Sequence, residues 1–403
     1  MNATPATAPA AIGAGRIAGL DLWRAVLMSA GVFVHGSLWL PPTPLFVVVG
    51  DASQAFRMGA FYAISGVLSA LALRKRDPLQ WLRQRLLQLG IPAFCALTVF
   101  SPLIWYAVTF SRAAVYGWPL LPFEWHHLWF LFGLMLYSVF AVMLHNVDFR
   151  SGLIARFDAA AGTGSGRIAV LAVAALGACL LGAATPLIFA TLPAGYVRSF
   201  GNVQLIFGYL PMFLLGFVLA RSPRLCRQIH ATSRFCAVIC IGMSVAYAAT
   251  HLVGPLMPLA GYVRFVAAAL CPPAAFVLIF RSAMTVRSVP PLLLHLSEAS
   301  YSIYVLHYPI CVLINATLAI DVEPIVAYFL SVLASGAASF AFHVFAVERS
   351  PALKLLINGK PTQQPGSLEW TPPPPDGSAC EAVPADETNQ HPGGEPASST
   401  GSV

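Results

Sequence analysis

Charge is scarce in this chain. Only 10% of its 403 residues are Asp, Glu, Lys or Arg, against 58% hydrophobic. A soluble globular domain needs far more charge on its surface, so that class is excluded. Paired cysteines are also lacking: the eight are scattered, six of them inside apolar runs, with no C-x-x-C. Cys236 and Cys240 share a helix face, but small buried hydrophobes account for them better than a disulfide or a metal site. No Gly-rich phosphate loop of the P-loop or dinucleotide type occurs. The long apolar runs show no strand-like alternation, which excludes a β-barrel. A cleavable leader is not expected either. Residues 1–15 are rich in Ala and Pro without a basic start, and the first apolar run is too long for a leader core, so it should serve as a signal anchor.

What the chain has instead is apolar length. Runs of about twenty residues recur at 17–40, 52–73, 86–110, 127–144, 168–190, 203–220, 235–253, 262–280, 301–320 and 324–346. Each is long enough to cross a bilayer core as a helix. The expected fold is therefore all-α, a polytopic membrane bundle of about ten transmembrane helices.

Basic residues orient such a bundle, because cytoplasmic loops carry the excess of Lys and Arg. Arg74, Lys75, Arg76, Arg83 and Arg85 lie between the second and third runs. Arg150, Arg156 and Arg167 follow the fourth, and Arg221, Arg224, Arg227 and Arg234 follow the sixth. With Arg16, Arg281, Arg287, Arg349, Lys354 and Lys360, that places 18 of the 23 Lys and Arg on one side. The other loops offer Arg112, Arg198 and the borderline Arg264. Both termini are expected in the cytoplasm, and the net charge of +7 reflects this asymmetry rather than nucleic-acid binding.

Residues 361–403 are different material. They hold nine prolines, six acidic residues and no Lys or Arg, a composition that cannot bury enough surface to offset its ordering entropy. The expected organisation is a short cytoplasmic segment at 1–15, a membrane domain at 16–360, and a disordered acidic tail at 361–403.

Ionisable residues inside the spans are the candidates for chemistry, since each costs about 2.5 kcal/mol or more to insert. In the first run, Arg24 and His35 are eleven residues apart, so both fall on one helix face about 16 Å apart. Asp21 precedes Arg24 by three. A buried Asp21–Arg24 ion pair is the bland alternative, and it leaves His35 unexplained. In the second run, Arg57 either snorkels to an interface or lines a polar cavity. Ser65 and Gly66 allow close helix contact. The fourth run opens His126-His127-Leu128-Trp129. Adjacent histidines point about 100° apart on a helix, so at most one should face a site, and His127 is the better candidate. Trp129 also suits an interfacial anchor. No third ligand at metal spacing accompanies these histidines, so no metal is expected. In the ninth run Tyr304, His307 and Tyr308 form one polar stripe, and His307 serves either as a helix-packing hydrogen bonder or as a site residue. The basic stretch of Arg74, Lys75, Arg76, Arg83 and Arg85 follows from topology alone, or holds a soluble polyphosphate ligand.

Taken in order, these segments resemble the membrane acyltransferase-3 family of ten-helix O-acyltransferases. The likeness rests on Leu20-Asp21 with Arg24-x10-His35, the Phe61-x-x-x-Ser65-Gly66 block, and the basic run through Arg85 to Pro92. It continues in His127-x-Trp129-Phe-Leu131, the Tyr209 to Gly216 block, Ser300-Tyr-Ser-Ile-Tyr-x-x-His307 and Glu348-x-x-Pro351. Arg57-Met58 and the His127 block are similar to the branch that succinylates periplasmic glucans. One departure is Leu134, where many O-antigen acetylases of the family carry a Glu, so no role of that acid carries over.

The resemblance implies acyl transfer from cytoplasmic acyl-CoA, as donor substrate and not a bound cofactor, to a hydroxyl of an external glycan at a bacterial inner membrane. The cationic cluster then suits the donor phosphates. His35, on the outer half of its span, suits a general base or a transient acyl carrier, with Arg24 and Asp21 toward the donor side. Donor and acceptor contacts are expected from Arg57, Ser65, Arg74, Arg76, Arg83, Arg85, His127, Trp129, Tyr304 and His307. A secondary transporter or flippase is the competing class, because intramembrane Arg and His also mark ion paths. No inverted repeat relates the two halves, and the basic loop has no counterpart in the second.

Overall fold

A computed structural model describes residues 18–111, 114, 120–193, 196, 200, 202–253, 259–286, 289–318 and 321–360. Arg16, Arg112, Arg198 and Arg287 of the charge count, the segment 1–15 and the tail 361–403 lie outside these residues. Among the described residues the regular structure is helical throughout and no strand occurs. The protein is an all-α, polytopic membrane bundle.

Eight of the described helices are long and apolar enough to cross a membrane, or nine if one bent pair counts as a single span. The expected ten is an approximation, for two local reasons. The first apolar run breaks into Ala18–Ser29 and Gly31–His35, each too short to span alone. Turns follow it, with Trp39 at φ 56°. Their carbonyls are satisfied from other helices: Asn315 Nδ2 donates to Gly36 O at 2.9 Å and Leu38 O at 2.7 Å, and Tyr328 Oη donates to Phe33 O at 3.0 Å. The second reason is the helix Val203–Leu219, which turns by 115° into Pro223–Ala231. Ser222 before Pro223 takes an extended backbone (φ −120°, ψ 90°), as the proline ring requires of its neighbour. Asp158 then accepts from Ser222 Oγ and from the backbone N–H of Arg224 and Leu225, capping the short helix.

Proline also starts helices, at Pro44, Pro78, Pro324 and Pro351, where its missing N–H costs nothing. The side chains of Asp77, Glu323 and Ser350 cap three of these ends.

The helix Pro44–Leu73 is the centre of the bundle. Its most apolar stretch is 78% buried, against 17% for Ser165–Thr191 and Ser233–Thr250 at the rim. It crosses Val203–Leu219 backbone to backbone. A Cβ on Gly66 would overlap the Phe213 carbonyl, and one on Gly216 would overlap that of Ala63, so glycine at both positions lets the helices meet. Because Pro44–Leu73 is continuous over about 45 Å, it borders both of the polar cavities described next.

Candidate active site

Two polar cavities follow one another along the central helix. The first, of about 170 Å³, has His35, Arg57, Glu124, His126, His127, Trp129, Tyr304 and Tyr308 in its wall. Arg57 therefore lines a cavity, one of the two placements open to it from sequence. Its Nε donates to Ser53 Oγ at 2.6 Å, one turn earlier on the same helix. Gly31 makes room for it: a Cβ there would lie 3.1 Å from an Arg57 terminal nitrogen and 3.6 Å from His307 Nε2.

The histidines form a cluster. The His35 ring lies 5.3 Å from that of His307 and 5.9 Å from that of His127, with the Tyr308 ring edge-on at 4.9 Å. His127 stacks on Tyr308 at 4.5 Å. Backbone carbonyls fix two of the rings. His127 Nε2 bonds Tyr304 O at 3.0 Å, while Tyr304 Oη returns a bond to His127 O at 2.6 Å. His307 Nδ1 bonds Ile303 O at 2.7 Å. A carbonyl only accepts, so those nitrogens carry the protons and the opposite nitrogens hold lone pairs. His127 Nδ1 and His307 Nε2 are buried without a partner, and so are available to a proton or a hydroxyl group.

His126 overturns one expectation. Both adjacent histidines face the cavity, because the chain enters Trp129–Ser151 through a 3₁₀ turn, His126–Leu128, with His126 at φ 41°. That left-handed backbone is rare outside glycine, and it cancels the 100° divergence of an α-helix. The His126 ring is held by Ser101 Oγ at 3.4 Å, Glu124 at 3.7 Å and Tyr308 Oη at 3.4 Å. Glu124 and Tyr308 were likewise outside the sequence candidates; Tyr308 carried a signal in its stripe with Tyr304, and Glu124 carried none.

The second cavity has two lobes that share Arg24, Arg85 and Gln88. One lobe, about 230 Å³, adds Ser65, Ser69, Arg76, Trp81 and Gln84. The other, about 150 Å³, adds Met28, Phe61, Phe130, Leu134, Glu298, Tyr301, Asn358 and Lys360 among others. Lys360 arrives there through the C-terminal helix Pro351–Asn358, which ends at Gly359 with φ 61°. Ser302 ties that helix down by donating to Asn358 Oδ1 at 2.7 Å, and His343 Nδ1 bonds Ser302 Oγ at 2.8 Å. Sequence pattern gave no hint that Lys360 returns to this cavity.

The basic stretch is divided by the fold. Arg76 and Arg85 line the second cavity. Arg74 does not: its guanidinium donates to Ala220 O at 2.7 Å, capping the helix Val203–Leu219. Lys75 and Arg83 are exposed and belong to neither wall. Asp21 pairs with Arg24 at 3.8 Å and lies in neither cavity wall. Arg24 and Met28 line the second cavity and His35 the first, so one face of the first span serves both despite its break. Among the described residues no group of three His, Cys, Asp or Glu side chains has a geometry that holds a metal ion.

Known proteins agree on the family. Residues 17–344 match the family model Acyl_transf_3, an acyltransferase domain. The chain is similar to glucans biosynthesis protein C from Salmonella heidelberg (strain SL476), at 25% identity over 382 residues, covering 85% of this chain and 94% of that protein. The proteins of the same name from Salmonella agona (strain SL483) and Salmonella typhi match to the same extent. No solved structure matches. With both cavities inside the matched span apart from the C-terminal helix and Lys360, the chain belongs to the acyltransferase-3 family and is a membrane acyltransferase for groups other than aminoacyl groups.

Proposed function

We propose that the protein moves an acetyl or succinyl group from cytoplasmic acyl-CoA to a hydroxyl of a periplasmic or cell-surface glycan. Its place is the bacterial inner membrane, with both termini and the acidic tail in the cytoplasm. The observation that carries this reading is the succession of two unlike cavities along one helix. One gathers Arg24, Arg76, Arg85 and Lys360, which suits a polyphosphate donor. The other gathers imidazoles and one guanidinium, which suits proton transfer beside a developing negative charge.

In this reading the donor phosphates sit against Arg24, Arg76 and Arg85, and its acyl end extends to His35. His35, as neutral imidazole, takes the proton of the acceptor hydroxyl while the hydroxyl oxygen bonds to the thioester carbonyl carbon. Arg57 stabilises the resulting oxyanion. The carbon–sulfur bond then breaks, and the thiolate leaves as the free thiol with the proton from His35. His307 Nε2, a fixed lone pair beside His35 and Arg57, orients the charge on both. Tyr304 and Trp129 bound the space for the sugar.

Mass analysis of periplasmic and surface glycans from cells with and without the gene tests the reading. Ester-linked acyl groups should disappear with the gene and stay absent on complementation with His35→Ala. Unchanged glycan acylation, or uptake of a solute without any acylated product, would replace the transferase reading with the transporter one.

A further inference from the structure

A donor held at Arg24 and Arg85 and a base at His35 must communicate, and among the described residues one side chain stands in both walls. Phe130 is common to the lining of the histidine cavity and of the smaller lobe of the arginine cavity. It is 4% exposed and is the second residue of the helix Trp129–Ser151, which follows the 3₁₀ turn that carries the two histidines. The Phe61 ring meets it edge-on at 4.7 Å, and the Tyr304 ring lies at 5.5 Å. On the arginine side its neighbours in the wall include the unbranched Met28, a side chain able to change shape.

We propose that Phe130 is the partition that the acyl thioester crosses, and that it sets both the acyl length accepted and the ratio of transfer to hydrolysis. This rests on the acyl-CoA reading above. An aromatic ring turns about two torsions, so it can yield to a short acyl chain and close behind it. While seated, it separates the thioester from water in the histidine cavity. Without it, water oxygen bonds to the carbonyl carbon, the carbon–sulfur bond breaks, the water proton passes to the departing thiolate, and the acyl group is lost as a free acid. Exclusion of water from a reactive intermediate is a separate task from accelerating transfer.

Purified full-length protein in lipid nanodiscs, given acetyl-, succinyl- or hexanoyl-CoA with and without glucan oligosaccharides, tests this. Released thiol reports total turnover and mass analysis of the glucan reports transfer. Phe130→Ala should raise the ratio of hydrolysis to transfer about tenfold, equivalent to ~1.4 kcal/mol, and should admit hexanoyl-CoA. Phe130→Trp should lower transfer by a similar factor while acetyl-CoA still shifts the melting temperature as in wild type. Phe130→Leu keeps most of the apolar volume, and should leak less than Ala but measurably; it decides the matter if Ala fails to fold. Wild-type ratios and chain-length preference in folded Phe130→Ala or Phe130→Leu would overturn the partition alone. A wild-type protein that releases no thiol from any of the thioesters, with or without acceptor, would remove the donor reading and the partition with it.

Discussion

The two cavities share a helix but are built in opposite ways. In the histidine cavity the polar groups besides Arg57 and Glu124 are mostly aromatic, and several are locked: His127 and Tyr304 exchange bonds through each other's backbone, the neighbouring His307 is fixed by Ile303 O, His126 meets Ser101 at one ring nitrogen and Tyr308 and Glu124 at the other, and the one long cation, Arg57, is tied to Ser53 Oγ. Side chains with two torsions lose little freedom on being ordered, so this geometry is set before any substrate arrives. In the arginine cavity the charges sit on long stems, and Arg24 and Arg76 remain partly or fully exposed. Such cations adapt to a flexible, highly charged ligand but cannot hold an atom to within half an ångström. Preorganisation belongs where a proton moves, and adaptability where phosphates bind.

The sharpest separation of the two should come from His35→Ala. It removes the base and leaves the arginine cavity intact, so transfer should fall by about 10²–10⁴-fold while acyl-CoA still binds. Thiol release, glucan mass analysis and an acyl-CoA thermal shift measure both halves. Equal loss of binding and turnover would mean that the cavities do not divide the work in this way.

Arg85→Gln should have the next largest effect, on the other cavity. Arg85 is half-buried and lines both lobes, so a desolvated contact to phosphate is worth about 1.5–3 kcal/mol, or roughly ten- to a hundredfold in KM for acyl-CoA. The KM for the glycan should not move. Arg76→Gln, at an exposed position, should shift the same KM by no more than about fivefold. A larger effect from Arg76 than from Arg85 would place the phosphates at the mouth of the cavity and not between its lobes.

The sequence was a good guide where periodicity and membrane cost govern. The helical class and the long spans were legible from the apolar runs, and the expense of burying Arg24 and His35 marked them as candidates, while Arg57 kept two placements, an interface or a polar cavity, between which only the fold decides. It failed where a single backbone torsion or a distant partner decides. The 100° rule excluded one of two adjacent histidines, and the φ of 41° at His126 restores it. Nothing in the spacing of the basic stretch distinguishes Arg74, bound to Ala220 O, from Arg76. Lys360 joins its cavity only because Ser302, 58 residues earlier in the chain, anchors the helix that delivers it. The end of the short helix Gly31–His35 and the turns after it are held by Asn315 and Tyr328, partners that no local pattern announces.

Gly359→Ala probes that delivery. Gly359 has a φ of 61°, and a Cβ there would overlap the Gln88 carbonyl. The left-handed backbone alone costs a non-glycine residue about 1–2 kcal/mol, and the overlap moves the chain away from Gln88 and carries Lys360 with it. The expected outcome is a lower thermal midpoint together with a raised acyl-CoA KM. A lower midpoint with the KM unchanged would remove Lys360 from the donor site and leave the C-terminal helix as a support only.

Arg74→Gln should have the smallest effect on catalysis, and it tests how the fold divides the basic stretch. Positive charge at this end of the bundle attracts a polyanion wherever it sits, but through-space attraction between exposed charges is screened within about 10 Å at 0.1 M salt. A contact inside a cavity is not. Arg74 spends its guanidinium on Ala220 O, at the end of the helix that crosses the centre of the bundle at Gly66 and Gly216. Its loss should therefore cost about 1–3 kcal/mol of stability, as the carbonyl of the buried Ala220 loses its partner, with the acyl-CoA KM within twofold of wild type at 0.15 M salt. Raising the salt should mimic Arg76→Gln far better than it mimics Arg85→Gln. If Arg74→Gln instead raised the donor KM as much as Arg85→Gln at equal amounts of folded protein, the donor would bind across the whole loop, and the two-lobed cavity would lose its claim to the phosphates.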